Sequence, residues 1–328
     1  MSNIKILGTG MGIPKRKIDN DFFEKTVNKD DEWIYKKTGI KSRYIIENNE
    51  EYINIITESI NEALRNSKIN KNNIDLVILA TSTPTNLFGG VSRIINNLEI
   101  NNCISFDITL ACNGFNISLY TAYQYLKDSN YKNALIIGAD CLSRWVDWSD
   151  YKTSILFGDG VGSIIIGKTT NIDFGLIDYF HKQDSSKHNI LSIEVKEQEY
   201  FINNIKVMNN IYDFMFMNGR DVSKFVIETI PKFIIDSLNK INLQISDIKY
   251  IIPHQANKRI LDKIAKELNI DHNIILSNIE KYGNTSSASI PILLHEIIQE
   301  NKLAEGDLIL FLGFGAGMSS SIILFKYY

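Results

Sequence analysis

Asn73-Ile74-Asp75-Leu76-Val77-Ile78 and Asp247-Ile248-Lys249-Tyr250-Ile251-Ile252 are the two stretches on which the fold reading turns. Each follows an amphipathic helical pattern, runs into an apolar strand-like segment and ends in a loop. They lie 174 positions apart in a chain of 328 residues, about half its length, as two duplicated halves would require. Outward from them, strand and helix signals alternate along the chain. Apolar runs at Ile4–Leu7, Leu76–Ala80, Ala134–Gly138, Gly162–Gly167, Tyr250–Pro253, Leu308–Leu312 and Ser321–Phe325 read as strands. Amphipathic stretches at Tyr52–Asn66, Phe115–Lys127, Val222–Lys240 and Lys258–Leu268 read as helices. Such alternation predicts an α/β protein with largely buried sheets. No linker rich in Pro, Gly or Ser separates the halves. The boundary is placed near residue 170, giving an N-terminal half over 1–170 and a C-terminal half over 171–328.

Composition removes several function classes. The net charge of −3 argues against a dedicated nucleic-acid binder. Three cysteines, Cys103, Cys112 and Cys141, do not make a disulfide framework, and none sits in a CxxC pair. Met1 leads directly into a strand-like run, so no signal peptide is expected. The apolar runs are far short of a membrane span. The expectation is a soluble, cytoplasmic protein in a reducing compartment, with no membrane partner.

Four segments carry possible chemistry. In Asp107-Ile108-Thr109-Leu110-Ala111-Cys112-Asn113-Gly114-Phe115 a strand-like run ends and a helix starts near Cys112. A thiol there feels the positive end of the helix dipole and free backbone N–H groups, both of which favour the reactive thiolate. The alternative is a small buried hydrophobe, a common fate of free Cys. In Pro253-His254-Gln255-Ala256-Asn257 the His follows a buried strand, where active sites of α/β sheets gather. A capping or core His is the plain alternative. His181, His188, His272 and His295 read as surface residues. Tyr282-Gly283-Asn284-Thr285-Ser286-Ser287-Ala288-Ser289 is either a polar catalytic run or an ordinary helix cap cluster. Gly313-Phe314-Gly315-Ala316-Gly317 is either a tight turn or a loop whose N–H approaches a ligand oxygen. One Cys, one His and one Asn, distant in sequence, suit nucleophilic acyl transfer. A papain-like protease uses the same residue types, but this Cys lacks that local context. No cluster has metal-ligand spacing, so no metal is expected. Gly8-Thr9-Gly10-Met11-Gly12 has the wrong spacing for a dinucleotide fingerprint.

Taken together, the chain resembles the β-ketoacyl-acyl-carrier-protein synthase III family. The resemblance runs nearly end to end. It is carried by Asp31-Glu32-Trp33-Ile34, Thr38-Gly39-Ile40, Ala111-Cys112 with Gly114-Phe115, Phe157-Gly158-Asp159-Gly160, Pro253-His254-Gln255-Ala256-Asn257 and Gly283-Asn284-Thr285-Ser286. It implies a thiolase-like five-layer αβαβα sandwich of two pseudo-symmetric halves, usually a homodimer. It implies that Cys112 takes an acyl group from a coenzyme A thioester, with no permanently bound cofactor. His254 and Asn284 would activate malonyl on acyl carrier protein for decarboxylative condensation, through His Nε2–H and Asn Nδ2–H. Backbone N–H groups of Cys112 and Ala316 would form a further oxyanion hole. Trp33 resembles the residue that stacks on adenine, Asn257 a pantetheine contact, and Phe88 the residue that lines the partner's acyl pocket. Lys224, Arg259 and Lys266 match positions facing acidic carrier protein.

The sequence also departs from the family pattern near the coenzyme A channel. Tyr151-Lys152 stands where Arg-Gly is usual, Lys37 where Arg is typical, and Arg220 where Asn is found. Asn113 follows the Cys in place of Ala or Ser, and Gly89 replaces a common Pro. A second reading keeps acylation of Cys112 but transfers the acyl group to an alcohol, amine or other nucleophile without decarboxylation. A third is a non-catalytic subunit that binds carrier protein. Chain length argues against chalcone synthases and hydroxymethylglutaryl synthases.

Overall fold

The computed structural model describes residues 3–128 and 130–328. Two sheets, together with the helices packed on them, hold most of the buried apolar side chains. The first has five strands in the order Asn3–Gly12, Gly160–Thr169, Asn133–Asp140, Leu76–Ala80, Ile104–Ile108. The second has four, in the order Tyr250–Pro253, Leu308–Gly315, Ser319–Lys326, Gly175–Gln183. Their pairings repeat. In the first sheet, Asn3–Gly12 and Asn133–Asp140 flank Gly160–Thr169 antiparallel, Asn133–Asp140 runs parallel to Leu76–Ala80, and Ile104–Ile108 adds a further parallel strand. In the second, Gly175–Gln183 and Leu308–Gly315 flank Ser319–Lys326 antiparallel, and Leu308–Gly315 runs parallel to Tyr250–Pro253. The position of the fifth strand is taken by a single parallel bridge, Ile251 to Ile275.

Strands buried on both faces explain the continuous apolar runs. Leu76, Ile78, Ala134, Ile136, Ile164 and Ile166 point to the space between the sheets, where they meet Ile309, Phe311, Ile323 and Phe325 of the second sheet. Their neighbours Val77, Leu79, Leu135, Ile137 and Ile165 point the other way, against the helices Asn49–Ser67 and Val91–Asn97. Leu310, Leu312, Ile322 and Leu324 likewise face Gly219–Lys240 and Lys258–Leu268. Two helices, Gly114–Asp128 and Ser289–Gln299, fill the middle layer through Phe115, Leu119, Leu293 and Ile297. Helix, sheet, helix, sheet and helix make five layers, the thiolase-like sandwich expected from the sequence.

The glycines at the start of the chain have a packing role. A Cβ at Gly8, Gly10 or Gly12 would come within 2.1–2.4 Å of the carbonyl oxygens of Ala63, Ser59 and Ile55. Those three residues are four apart, one stripe of the Asn49–Ser67 helix. Glycine at every second strand position clears one face, and the helix backbone lies in the cleared groove.

Two features were not expected. His295, read as a surface residue, is 4% exposed, with Nδ1 3.0 Å from Thr9 Oγ1. A long hairpin, Val195–Ile202 paired with Ile205–Tyr212, stands away from both sheets with every residue exposed.

Candidate active site

Both middle-layer helices begin at one place. The strand Ile104–Ile108 ends, the chain turns through Ala111 at φ +44°, and Cys112 sits in one 3₁₀ turn immediately before the Gly114–Asp128 helix. Positive φ is uncommon for Ala, so tertiary contacts hold this turn. Asn113, the residue after the Cys, is fully buried, and its Nδ2 donates to Ser319 Oγ at 2.7 Å. Its Oδ1 accepts from the Ser321 hydroxyl at 2.5 Å. From the other side Gly315 closes in, where an added Cβ would lie 3.0 Å from both Cβ and N of Cys112. The nucleophile turn is thereby tied to the hairpin of the second sheet.

Asn284 lies on the segment before the Ser289–Gln299 helix. Its backbone N–H donates to the Leu156 carbonyl at 2.9 Å, and its carbonyl accepts from Gly158 N–H at 3.0 Å. Its side-chain Oδ1 accepts from Ser286 N–H at 2.9 Å, which fixes the amide orientation and frees Nδ2 as a donor. Three residues after Asn284, Ser287 donates to the buried Asp140 carboxylate from N–H at 3.1 Å and from Oγ at 2.7 Å. Gly138 makes room for this loop, since a Cβ there would lie 2.3 Å from the Ser287 carbonyl oxygen. Burial raises the Asp140 carboxyl above its ordinary range, against the opposing pull of the Ser287 hydroxyl and Ser82 N–H.

His254 follows the strand Tyr250–Pro253, as the sequence suggested, and is 2% exposed. Its Nδ1 lies 2.8 Å from Ser289 Oγ, and Phe314 packs edge-on with ring centroids 5.2 Å apart. The Ser289 hydroxyl has one hydrogen. Given to the Ser286 carbonyl at 2.8 Å, it makes Nδ1 the donor and leaves Nε2 a bare acceptor. Rotated onto Nδ1, it makes Nε2–H the donor. Ser289 can therefore serve either tautomer. Burial pushes the imidazole down to about 3, with the Ser286 backbone pulling weakly the other way, so the ring is neutral at physiological pH.

The sequence reading expected thiolate at Cys112. Burial instead pushes the thiol up to about 12, and the Ser286 hydroxyl, 3.5 Å from Sγ, opposes that push only in part. Cys112 is 6% exposed, and the desolvation cost of a bare thiolate exceeds what one hydroxyl and a helix start return. The resting pair is thiol and neutral imidazole. Ser286 and Ser289 were not singled out as supports, because their roles depend on contacts across 174 and 35 positions that sequence spacing does not reveal.

Cys112, His254 and Asn284 line one cavity of about 900 Å³. Trp33, Lys37, Arg220, Asn257 and Arg259 line it too, with Tyr151, Lys152 and Lys263. Asn257 also caps the Lys258–Leu268 helix, its Oδ1 accepting from Arg259 N–H at 2.9 Å. Lys224 and Lys266 are exposed on the outer helices and do not line the cavity. Ala316 follows Gly315 in the chain and is not itself a wall residue. Phe88 is 99% exposed and lines a separate depression with Leu87 and Phe106. Among the described residues, no group of three or more His, Cys, Asp or Glu is placed to hold a metal ion.

Residues 106–185 match the family model 3-oxoacyl-[acyl-carrier-protein (ACP)] synthase III, and residues 238–327 match that for its C-terminal region. Over 330 residues the chain is 40% identical to β-ketoacyl-[acyl-carrier-protein] synthase III of Trichodesmium erythraeum, covering 100% of each chain. The chain belongs to the β-ketoacyl-[acyl-carrier-protein] synthase III family. Solved structures share the architecture. The 3-oxoacyl-[acyl-carrier-protein] synthase III from Aquifex aeolicus superposes with a TM-score of 0.88 at 35% identity, over 99% of this chain and 100% of that one. A priming β-ketosynthase from the R1128 polyketide biosynthetic pathway gives 0.88 at 25% identity, over 99% and 96%. As in the sequence reading, the synthase III resemblance extends over the whole chain. Among the described residues, no helix is long and apolar enough to cross a membrane.

Proposed function

We propose that this synthase III family member loads an acyl group from a coenzyme A thioester onto Cys112 and condenses it with malonyl on acyl carrier protein, in fatty-acid initiation or a related specialised pathway. The observation that carries this reading is the convergence of Cys112, His254 and Asn284 on one cavity. Sγ of Cys112 attacks the thioester carbonyl. The new S–C bond replaces the one to coenzyme A, whose sulfur leaves with the thiol proton. Decarboxylation of the malonyl group then gives CO2 and an enolate. Asn284 Nδ2–H and His254, as its Nε2–H tautomer, are the donors for the enolate oxygen. The enolate carbon attacks the acyl carbonyl, the bond to Sγ breaks, and a proton from water restores the thiol. Backbone N–H groups of Cys112 and Ala316 serve the tetrahedral intermediates.

In this reading the segment 1–170 carries the nucleophile and 171–328 carries His254 and Asn284. The first sheet ends at Thr169 and the second begins at Gly175, which supports that division. Trp33, Lys37, Arg220 and Asn257 take the donor. Arg259 at the mouth, with Lys224 and Lys266 beyond it, faces an acidic carrier protein. No permanently bound cofactor enters, and the protein works in the cytoplasm as a homodimer in which Phe88 is covered by the partner.

The test is to incubate the protein with acyl-coenzyme A and measure the mass added at Cys112, then to supply malonyl carrier protein and measure CO2. Cys112→Ser abolishes acylation, whereas His254→Ala spares it and blocks CO2 release. Asn284→Ala removes one donor, worth about 3–4 kcal/mol, and slows CO2 release by about a hundred- to a thousandfold. Equal loss of both steps in His254→Ala would refute this division of roles. Acylation without CO2 release would favour transfer to another nucleophile.

A further inference from the structure

At the channel mouth the rings of Trp33 and Tyr151 touch one another. Their centroids are 5.7 Å apart and their planes meet at 82°. Lys29 Nζ lies over both rings, 4.7 Å from the Trp33 centroid and 5.1 Å from that of Tyr151. Lys37 Nζ is 5.8 Å from the Trp33 centroid. A flat base held between two rings needs them parallel and about 7 Å apart, twice the ~3.5 Å contact distance of carbon atoms. Trp33 and Tyr151 are neither parallel nor that far apart. Admitting a base would break their edge-to-face contact and draw the rings away from Lys29. The stacking a base would gain is offset by contacts of the same kind already made within the protein.

Inside the mouth, the walls suit a different part of the donor. Lys152, Arg220, Arg259 and Lys263 line the entrance. None of them forms an ion pair with a carboxylate among the described residues. They are placed for phosphate oxygens, as point charges and as guanidinium forks. From there, apolar walls such as Ile155 and Val226 lead to Cys112, a route for a thin, flexible arm.

We propose that Tyr151 removes the base-stacking subsite from this channel, so that the enzyme recognises its acyl donor by the phosphopantetheine arm and not by the nucleotide. Acyl-4′-phosphopantetheine is then as good a donor as the matching acyl-coenzyme A. Phosphopantetheine thioesters held on carrier proteins share the same chemistry and enter the loading step on the same terms. The inference rests on the acyl-transfer reading of Cys112 given above.

The experiment compares the same acyl group (acetyl, butyryl and octanoyl in turn) on coenzyme A and on 4′-phosphopantetheine. The readout is kcat/KM for mass addition at Cys112. The wild-type ratio of the two donors is expected to lie within threefold for every acyl group accepted. Tyr151→Ala, which removes the ring held edge-to-face with Trp33, raises the preference for coenzyme A at least tenfold, mainly through KM. Tyr151→Arg, a second variant with a planar head, moves the ratio in the same direction. A wild-type preference for coenzyme A above threefold overturns the inference. So does an unchanged or lowered preference in both variants, each shown by its melting curve to be folded. If no thioester labels Cys112, the acyl-transfer reading fails and takes this inference with it. Labelling with an unfavourable ratio overturns the inference alone.

Discussion

At the scale of single residues, the site is built from neutral groups held by hydroxyls. Cys112 is a thiol pushed up to about 12, and His254 an imidazole pushed down to about 3. Neither carries charge at rest, so reactivity has to be generated during attack. This sets a pH signature. Alkylation of Cys112 by iodoacetamide should rise about tenfold per unit from pH 7 upward, as the thiolate fraction grows, with no plateau below about pH 11. Ser286→Ala removes the hydroxyl that opposes the burial shift, and should slow alkylation at every pH in that range. A plateau near pH 7, measured by mass spectrometry at Cys112, would mean that the thiolate is stabilised by more than the groups described here. Asn284 illustrates the same economy: one backbone N–H, that of Ser286, occupies its oxygen and leaves its NH₂ for the substrate.

At the scale of elements, the first strand and the Asn49–Ser67 helix show what close approach demands. The Gly8, Gly10 and Gly12 face admits helix backbone, and Gly10, in the middle of the run, shares the shortest approach of 2.1 Å with Gly12. Gly10→Ala places a methyl 2.1 Å from the Ser59 carbonyl oxygen, so strand and helix have to separate. The expected loss is about 3 kcal/mol, the upper end for overpacking, read as a lowered midpoint in urea unfolding. The sequence reading rejected these glycines as a nucleotide motif but assigned them no role, because the groove exists only against a helix that begins nearly forty residues later. The buried strands were legible in the sequence, since both faces are apolar and the runs are continuous, and Lys258–Leu268 begins and ends where its apolar periodicity does. Gly175–Gln183 was not, because an edge strand mixes exposed and buried positions and carries Asp178, His181 and Lys182. Cys112 could be picked out because it stands just before a helix, His254 because it follows a strand, and Asn284 because it lies in a run of small polar residues that leads into a helix. The serines that hold them could not, as a hydroxyl becomes a support only through its partner.

At the scale of the whole molecule, buried ionisable groups decide how stability depends on pH. His254 is held well below its ordinary value, so between about pH 6.5 and about pH 3 the unfolded chain binds a proton that the folded chain refuses. Its contribution is complete above pH 6.5 and is lost as the pH falls through that window. His254→Gln should flatten the acid limb of the stability curve there, measured by urea unfolding at a series of pH values. Arg43 is fully buried too, its guanidinium 4.6 Å from the Phe23 ring centroid: its terminal nitrogens donate to Asn20 Oδ1 at 2.8 Å and the Ile155 carbonyl at 2.6 Å, its Nε has no partner, and burial lowers its pKa to about 9. It joins the segment from Ile18 to Phe23 to Ile155, just after the Tyr151–Ser154 helical turn.

The projecting hairpin has a different consequence. A ribbon of two exposed strands is held by its ladder, by exposed side-chain pairs such as Lys206 with Glu199 and by the Tyr212 ring against Trp145 at its base, and such ribbons open and close readily. Backbone amides across 195–212 should therefore take up deuterium within the shortest labelling times, while those of Leu76–Ala80, buried on both faces, stay protected far longer. Slow uptake in the hairpin that quickens on dilution would instead show a second copy of the chain lying over it.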